Sequence, residues 1–305
     1  MEKLTVDRLG MLNVLYPEPQ FLVGVEEEFV PKHPRCRMVT HWHNDVELVL
    51  ALDGGLRSRV DGQEVELSEG DVLFINSQRL HQHYDDAPSS SAMAVYFHPS
   101  LLPSNLPKDH IARKMLEDIN FRWKVLKAGT ESAERIARIM REVQAVLREQ
   151  KAFCELESAG LAMQLMKELC AVYQEEPPSP SRFSELWHKN VRGMIVYIYK
   201  HFSKKISLED ISRSEKISRS KSCRLFTYLT NETPVDFLNA YRLEKSAQFL
   251  SESDMTLKNI TAACGFADQS YFGRMFRGKY HCTPGRYRKE TMALQKKPKQ
   301  RRTKH

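Results

Sequence analysis

The sequence predicts a two-domain protein, with an all-β barrel and appended helices in front and an all-α tandem helix-turn-helix behind. Two observations predict this division. Short strand-like runs separated by glycine turns dominate residues 21–98, whereas residues 184–290 contain one helical unit twice. Between the two lies a segment rich in proline and serine, residues 176–183, which we predict to be a linker because proline stops helices.

The front domain is predicted to occupy residues 1–105 as a small barrel or jelly roll. Alternating apolar residues predict strands at 46–52, 56–60, 65–67, 71–75 and 92–97. Turn signals separate them, at Asp53-Gly54-Gly55 and again at Asp61-Gly62, a pair typical of a hairpin. Many short strands joined by such turns are typical of a closed or folded-over sheet.

Two helices, predicted at 133–150 and 153–173, make residues 106–175 a helical dimerisation segment. An apolar face of the first helix contains Ile136, Met140, Val143 and Leu147 at helical spacing. The pair is expected to pack on the barrel and to offer this apolar seam to a second subunit, giving a homodimer. The alternative is that the seam is wholly internal.

The repeat in the back half is the strongest pattern in the chain. Five residues recur at an offset of fifty positions: Ser220, Arg224, Phe226, Thr233 and Pro234 recur as Ser270, Arg274, Phe276, Thr283 and Pro284. Upstream, Leu208, Ile211 and Ile217 recur as Leu257, Ile260 and Phe266, at an offset of forty-nine. One extra residue near Gln269 therefore separates the copies, at the turn of a duplicated helix-turn-helix.

Helix-start signals define each copy. Ser207 with Asp210 predicts a first helix, and Ser218 is predicted to cap the second after a turn at 216–217. In the second copy, Gly265 ends the first helix and Asp268 begins the next. Thr233-Pro234 opens a further helix between the copies, with proline at its favoured first position.

Each unit leaves polar side chains on the outer face of its second helix. Arginine can hydrogen-bond guanine, glutamine can bind adenine, and serine or lysine can contact phosphates. Two matched sets at repeat spacing favour contact with double-stranded promoter DNA over ordinary solvated faces. The predicted DNA-binding residues are Arg219, Ser220, Lys221, Cys223, Arg224, Gln269, Ser270 and Arg274.

The distribution of charge along the chain agrees with two domains of different function. Residues 184–305 contain 25 Lys and Arg against 11 Asp and Glu, a net +14, whereas the remainder contains 21 against 28, a net −7. A basic half joined to an acidic half indicates one nucleic-acid domain and one domain with another role. The basic tail, 291–305, is predicted to be disordered and to add nonspecific phosphate attraction.

The sequence contains no run of eighteen apolar residues and no secretion signal at its start. Its six cysteines are scattered and include no C-x-x-C pair, as expected of reduced thiols. We therefore expect a cytoplasmic protein without membrane contact.

The segment 260–288 closely resembles the signature of AraC-type bacterial transcription regulators, through Gly265-Phe266, Tyr271-Phe272, Arg274, Phe276 and Thr283-Pro284. The first copy matches more loosely, and Ser222 stands where the family usually has an apolar residue. The resemblance implies a DNA-binding regulator with a cupin-like effector domain in front. It also implies activation through RNA polymerase in many members.

The front domain contains a cluster of histidines. Strand alternation places His41, His43 and Glu47 on one face, and His81 follows Gly70 by eleven residues. Together they resemble the two metal motifs of the cupin family, although Asn76 and Gln78 replace the usual residues of the second motif. His83 shares the strand face of His81 and is predicted to line the pocket rim.

Three interpretations of this cluster remain open. We favour a polar pocket for an organic effector, formed by His41, His43, Glu47 and His81. The same four residues could instead hold a divalent metal such as Mn, Fe, Ni or Zn, although no cofactor is required. Structural histidines without a ligand are the third interpretation.

The combined expectation is a sequence-specific transcription regulator, not an enzyme, that responds to a small-molecule effector. The rival is a metal-dependent cupin enzyme or metal sensor fused to a DNA-binding domain. A constitutive DNA binder with an empty barrel is a further rival.

Overall fold

The computed structural model describes residues 5–6, 12–13, 22–27, 40–84, 91–179 and 185–295. Strands fill the front half and helices the back half, as predicted. The strands, in chain order, are β1 (Thr5–Val6), β2 (Leu12–Asn13), β3 (Val23–Glu27), β4 (Val46–Asp53), β5 (Leu56–Val60), β6 (Gln63–Leu67), β7 (Val72–Ile75), β8 (His81–Tyr84), β9 (Ser91–Phe97) and β10 (Trp123–Leu126).

The helices are α1 (Ile111–Glu117), α2 (Glu131–Glu149), α3 (Cys154–Glu175), α4 (Glu185–His201), α5 (Leu208–Ser214), α6 (Arg219–Thr230), α7 (Pro234–Glu252), α8 (Leu257–Ala263), α9 (Gln269–Tyr280) and α10 (Pro284–Gln295). Helix α10 extends five residues into the segment predicted to be a disordered tail, so that prediction is wrong for residues 291–295. Residues 296–305, and 180–183 of the predicted linker, lie outside the described part.

Two antiparallel sheets form the body of the front domain. Five strands, in the order β10-β7-β4-β9-β3, make the larger sheet, and β6-β5-β8 make the smaller one. Alternation along β4 sends Val49 and Ala51 into a core shared with Leu56 and Val60 of the smaller sheet. The two sheets therefore enclose an interior, as predicted for a folded-over barrel. The predicted end of the barrel at residue 105 is wrong, because β10 pairs with β7 from within the segment predicted to be helical.

The outer face of the larger sheet is covered by α2 and α3. Leu48 and Phe74 of the sheet share one core with Ile136 and Met140 of α2. The predicted seam residues Ile136, Met140 and Val143 are fully buried there, and Leu147 is 6% exposed. The expectation that this seam faces a second subunit is wrong, because the sheet already covers it.

The duplication is visible as two helical units of equal size. Helices α5 and α8 each have seven residues, and α6 and α9 each have twelve. Ser207 and Asp210 form the predicted capping box, and Ser218 and Asp268 cap α6 and α9. These caps accept hydrogen bonds from backbone N–H groups that a helix start leaves without partners.

The two turns differ by one residue, as the change of offset predicts. Lys216 and Gly265 occupy matching left-handed positions, with φ of 55° and 75°. A side chain at Gly265 would meet the Phe202 carbonyl oxygen at 2.3 Å, so glycine is required there for space as well as for φ. The extra residue follows, at Ala267.

Helix α4 joins the core of the first unit and was not among the predicted elements. Its buried side chains Val191, Met194 and Ile198 pack with Phe226 of α6 and Phe237 of α7. The second unit has a separate core around Phe272 and Phe276. In the described part of the chain, no helix is long and apolar enough to cross a membrane.

Candidate effector site and DNA-binding surface

The interior between the two sheets becomes polar at one end. Glu47 lies on the same face of β4 as Val49, and it points from the larger sheet toward His81 and His83 of β8 in the smaller sheet. All three side chains are buried, with at most 8% exposed. A carboxylate buried in this way needs charged or hydrogen-bonding partners.

Three imidazoles supply those partners. The distance to a Glu47 carboxylate oxygen is 3.3 Å from His43 Nε2, 2.9 Å from His81 Nε2 and 3.3 Å from His83 Nε2. His41 joins the cluster through a bridge to His81, in which each residue's backbone N–H donates to the other's carbonyl oxygen. The structure therefore brings together the four predicted residues, His41, His43, Glu47 and His81. It places His83, predicted at the pocket rim, in the same buried cluster.

The electrostatics of the cluster follow from burial and proximity. Burial alone would raise the pKa of Glu47, but the charges of His81 and His83, with the hydrogen bond to His43, hold it well below its usual value. Burial lowers the pKa of His81, and Glu47 only partly offsets this. For His43, burial is outweighed by Glu47 and Asp45, so its pKa is raised.

Sequence patterns did not identify two further polar groups of this interior. The Ser58 hydroxyl on β5 lies 2.8 Å from His83 Nδ1. Burial and the Glu47 charge raise the pKa of Glu26, on β3, and the charge of His83 partly offsets this. Period-two alternation places both side chains inward, but only the sheet order shows that β3 and β5 meet this cluster.

Asn76 and Gln78, which replace the usual residues of the second cupin motif, have structural roles. The Asn76 side-chain amide donates to the carbonyl oxygens of Met115, Leu116 and Phe121, which anchors the end of α1 to the barrel. Gln78 adopts a left-handed conformation, with φ of 62°. Its carbonyl oxygen accepts a hydrogen bond from Arg192 of α4, at 2.9 Å.

The barrel contacts the first helix-turn-helix unit through the residues that flank the histidines. Leu80, directly before His81, is fully buried in the core formed by α4, α6 and α7. The Tyr199 hydroxyl of α4 donates to the Thr40 carbonyl oxygen, directly before His41, at 3.4 Å. The Arg192 guanidinium lies 5.4 Å from the centre of the Trp42 ring. Segments 40–43 and 78–81 thus belong to both the site and the domain interface.

A buried ionic group reinforces this interface. Asp61 lies in the turn between β5 and β6 and accepts from the Leu80 N–H at 3.1 Å. Its carboxylate lies 3.4 Å from His188 Nε2 of α4 and 3.7 Å from Arg122. Burial raises its pKa to about 7, although the charges of Arg79 and Arg122 oppose the rise. Gly62 approaches α6 so closely that a side chain would meet the Tyr228 carbonyl oxygen at 2.0 Å.

The other face of α6 is open to solvent. Arg219, Ser220 and Arg224 are exposed, and Lys221 and Cys223 are half-buried. The inward residues Ser222, Leu225, Phe226 and Leu229 are buried, as predicted. Ser222 has no exposed surface, so its small side chain fits where the family usually has an apolar one.

Helix α9 presents its predicted residues in the same way. Gln269, Ser270 and Arg274 are all exposed. An open groove of about 480 Å³ lies beside them, lined by Ser270, Gly273, Arg274, Arg277, Gly278, Thr283 and Pro284. Each unit therefore exposes one helix face that carries arginine and serine at matched positions, which is the chemistry that contacts DNA bases and phosphates.

Helix α3 carries the exposed apolar surface of the helical segment. Leu156 is 69% exposed and Met163 36%, and Phe153, just before the helix, is 71% exposed. Gly160 lies on the same stripe, and a side chain there would meet nothing within 4 Å. We call these four residues the α3 stripe.

A polar-ended barrel joined to two exposed recognition helices is the architecture of a ligand-responsive DNA-binding regulator. Family profiles agree: residues 31–166 match the AraC-like ligand binding domain, and residues 211–290 match the helix-turn-helix domain. Together these matches span most of the chain. The chain belongs to the AraC-type family of transcription regulators, with a ligand-binding domain in front and a helix-turn-helix DNA-binding domain behind.

Curated relatives share both halves. The chain is 26% identical over 251 residues to the HTH-type transcriptional regulator YdeC of Bacillus subtilis, covering 82% of this chain and 85% of that protein. It is 24% identical to the transcriptional activator RhaR of Mannheimia succiniciproducens, covering 84% and 89%. It is 23% identical to the melibiose operon regulatory protein of Escherichia coli, covering 90% of each.

Solved structures with detectable similarity include unsaturated fatty acid-bound ToxT of Vibrio cholerae, at 12% identity and a TM-score of 0.48, covering 90% of this chain and 97% of that one. The DNA-binding domain of AdpA in complex with a target DNA matches at 22% identity and a TM-score of 0.34. It covers 34% of this chain and 95% of that one.

Proposed function

We propose that this regulator binds a small-molecule effector between the two barrel sheets, through His41, His43, Glu47, His81 and His83. The observation that supports this is one buried carboxylate approached by three imidazoles, at the polar end of an interior whose other end is apolar. Apolar walls with a few convergent polar groups are typical of ligand sites. We infer regulation rather than catalysis, because the relatives with known roles are transcription regulators.

The coupling of this site to DNA is proposed to pass through segments 40–43 and 78–81. His41 and His81 face the effector, whereas Thr40 and Leu80, their neighbours in the chain, contact α4. An effector that shifts the His41–His81 pair would shift Leu80 within the core of the first unit. It would thereby change how that unit is held against the barrel, and so the population competent to bind DNA.

On DNA, α6 and α9 are proposed to enter successive major-groove segments about one helical turn apart. Arg219, Ser220, Lys221, Cys223 and Arg224 would contact the first segment, and Gln269, Ser270 and Arg274 the second. These assignments are supported by the solvent exposure of one face of α6 and one face of α9, on two units related by the duplication.

We further propose that the protein forms a homodimer through the α3 stripe. The regulator is also proposed to act in the cytoplasm and to contact RNA polymerase. Exposed side chains at Leu156 and Met163 supply apolar area, and Gly160 would let two helices approach closely. Because α2 buries its apolar face internally, α3 replaces it as the proposed dimer surface.

Selection of bound duplexes from a random pool tests the DNA proposal without a known operator. The full chain should enrich sites with two conserved segments about 10 base pairs apart. Arg224→Ala should erase preference in one segment, and Arg274→Ala in the other. A single enriched segment, or loss of the same segment in both variants, would refute the tandem arrangement.

A thermal-shift screen of metabolites tests the effector proposal. A true effector should raise the melting temperature of the full chain but not that of Glu47→Gln. His98→Ala is the matched control, since His98 lies outside the cluster and caps the short helix Pro99–Leu101. A compound that stabilises wild type and Glu47→Gln equally binds elsewhere.

A further inference from the structure

Three side chains of the barrel interior are arranged as metal ligands. Oε1 of Glu47 lies 3.3 Å from His83 Nε2, and Oε2 lies 2.9 Å from His81 Nε2. One donor atom from each of the three residues falls within 4.8 Å of the others, and all three are buried. We propose that Glu47, His81 and His83 bind one divalent transition-metal ion.

The orientation of His81 turns its Nε2 toward the Glu47 carboxylate. Its Nδ1 lies 2.9 Å from the Arg79 carbonyl oxygen, and because a carbonyl only accepts, Nδ1 carries the proton. In a neutral imidazole, Nε2 then presents a lone pair to the Glu47 oxygen at 2.9 Å. Two lone pairs repel at this distance unless a proton or a metal ion lies between them. A metal ion between the two atoms would satisfy both at once.

The spacing of the donor atoms fits such an ion. Ligand bonds of about 2.0–2.2 Å at angles near 90–110° place neighbouring donor atoms about 2.8–3.6 Å apart. The distances of 2.9 and 3.3 Å to the two Glu47 oxygens match these edges. Two histidines and one carboxylate are the donors that Zn²⁺, Fe²⁺ and Co²⁺ accept, with further positions left open.

Groups behind the ligands hold them in place. The Ser58 hydroxyl lies 2.8 Å from His83 Nδ1, and the Arg79 carbonyl accepts from His81 Nδ1. Metal-bound histidines are commonly fixed in this way through their second nitrogen. Ser58 is fully buried, so this contact is shielded from bulk water.

This ligand set differs from the one that the cupin motif implies. The motif assigns His41, His43, Glu47 and His81, and does not include His83. Here the donor atoms of His41 lie within 4.8 Å of those of His43 and His81, in a group that does not include Glu47. Glu47 Oε2 lies near both His81 and His43, and Oε1 lies near His83. The group of mutually close donor atoms that includes Glu47 is completed by His81 and His83. Substitution of His83 and of His41 therefore separates the two assignments.

The site also bears on the effector. If the barrel is the effector domain, as proposed above, the open positions suit an effector with oxygen or nitrogen donors, which would bind the ion directly. This consequence rests on the proposed function, whereas metal binding by the triad does not.

Metal analysis of untagged full-length protein, with Co²⁺ titration followed by visible absorption, tests the assignment. Wild type, His98→Ala and His41→Ala should each bind about one ion per chain. His83→Ala and Glu47→Gln should lose it. Ser58→Ala should keep the stoichiometry but weaken Co²⁺ affinity about 10–100-fold. Circular dichroism identifies variants that fail to fold, and Ser58→Ala tests the site even if His83→Ala is unfolded.

Two results would overturn the proposal. Wild type without stoichiometric metal, and without Co²⁺ absorption, would mean that protons rather than a metal balance the carboxylate. Loss of the ion in His41→Ala, with full retention in folded His83→Ala, would assign the site to the motif residues. DNA affinity with and without Co²⁺ is a separate measurement. An unchanged affinity would refute a role of the metal ion in regulation but would not contradict metal binding by the three residues.

Discussion

At the scale of single residues, the exposed arginines of α6 and α9 are expected to determine sequence preference. Arg224→Ala and Arg274→Ala should each cost about 1–3 kcal/mol of specific DNA-binding free energy, because each removes contacts to base edges. Titration of a selected duplex with each variant measures this. Arg138→Ala, an exposed change on α2, should leave affinity unchanged. Wild-type affinity in both variants would show that these helices do not contact bases.

Asp61 gives a prediction for pH. Burial raises its folded-state pKa from 3.8 to about 7, while Arg79 and Arg122 oppose the rise and Glu185 adds to it. A raised pKa means that the folded state holds the proton more tightly than the unfolded chain. The contribution of Asp61 to stability is therefore full below about pH 4 and is lost as the pH rises through about 7.

The matched variant is Asp61→Asn, whose side chain stays neutral. The free energy of unfolding of wild type, relative to this variant, should decrease between pH 4 and pH 7. His188, whose pKa burial lowers to about 2, stays neutral throughout this window. Urea unfolding at several pH values gives the comparison. A difference that is constant, or that grows with pH, would show that Asp61 ionises freely in the folded state.

The histidine cluster shows how much of a site residue patterns predict. His41, His43, Glu47 and His81 come together as their spacing indicates, because strand alternation fixes their faces. Ser58 and Glu26 could not be predicted, since their distance from the cluster depends on which strands are neighbours. That order is set by long-range pairing, which no local pattern encodes.

At the scale of elements, the duplicated unit is the best-predicted part of the chain. Capping residues such as Ser218 and Asp268 act locally, so their positions fix helix starts from sequence alone. Val191, Met194 and Ile198 of α4 have the apolar spacing of a helix, but the described residues include no capping residue that marks where α4 begins. Its role in joining the domains could not be read locally.

The second unit should depend on its own small core. Phe276 is fully buried and its ring lies 5.6 Å from Phe272 and 5.4 Å from Tyr287. Phe276→Ala should therefore cost about 3–5 kcal/mol of unfolding free energy by leaving a cavity. Val235→Ala, at a position 39% exposed, is the control and should change stability little. A melting curve for Phe276→Ala that matches wild type would contradict this packing.

At the scale of the whole molecule, the barrel and the first helix-turn-helix unit share a core. Leu80 is buried among helices that lie more than a hundred residues later in the chain. The same strand end carries His81 into the effector site. A contact of this kind links the two functions by geometry, and no pattern around Leu80 predicts it, because an isolated apolar residue before a strand is common.

Hydrogen exchange of the full chain, with and without a duplex selected from the random pool, tests the central claim that barrel and DNA site are coupled. Coupling is reciprocal, so DNA should alter exchange protection in segments 40–43 and 78–81 as well as in α6 and α9. Leu80→Ala should abolish the change in the barrel segments while α6 and α9 still respond. A response confined to residues 185–295 in wild type would contradict the coupling.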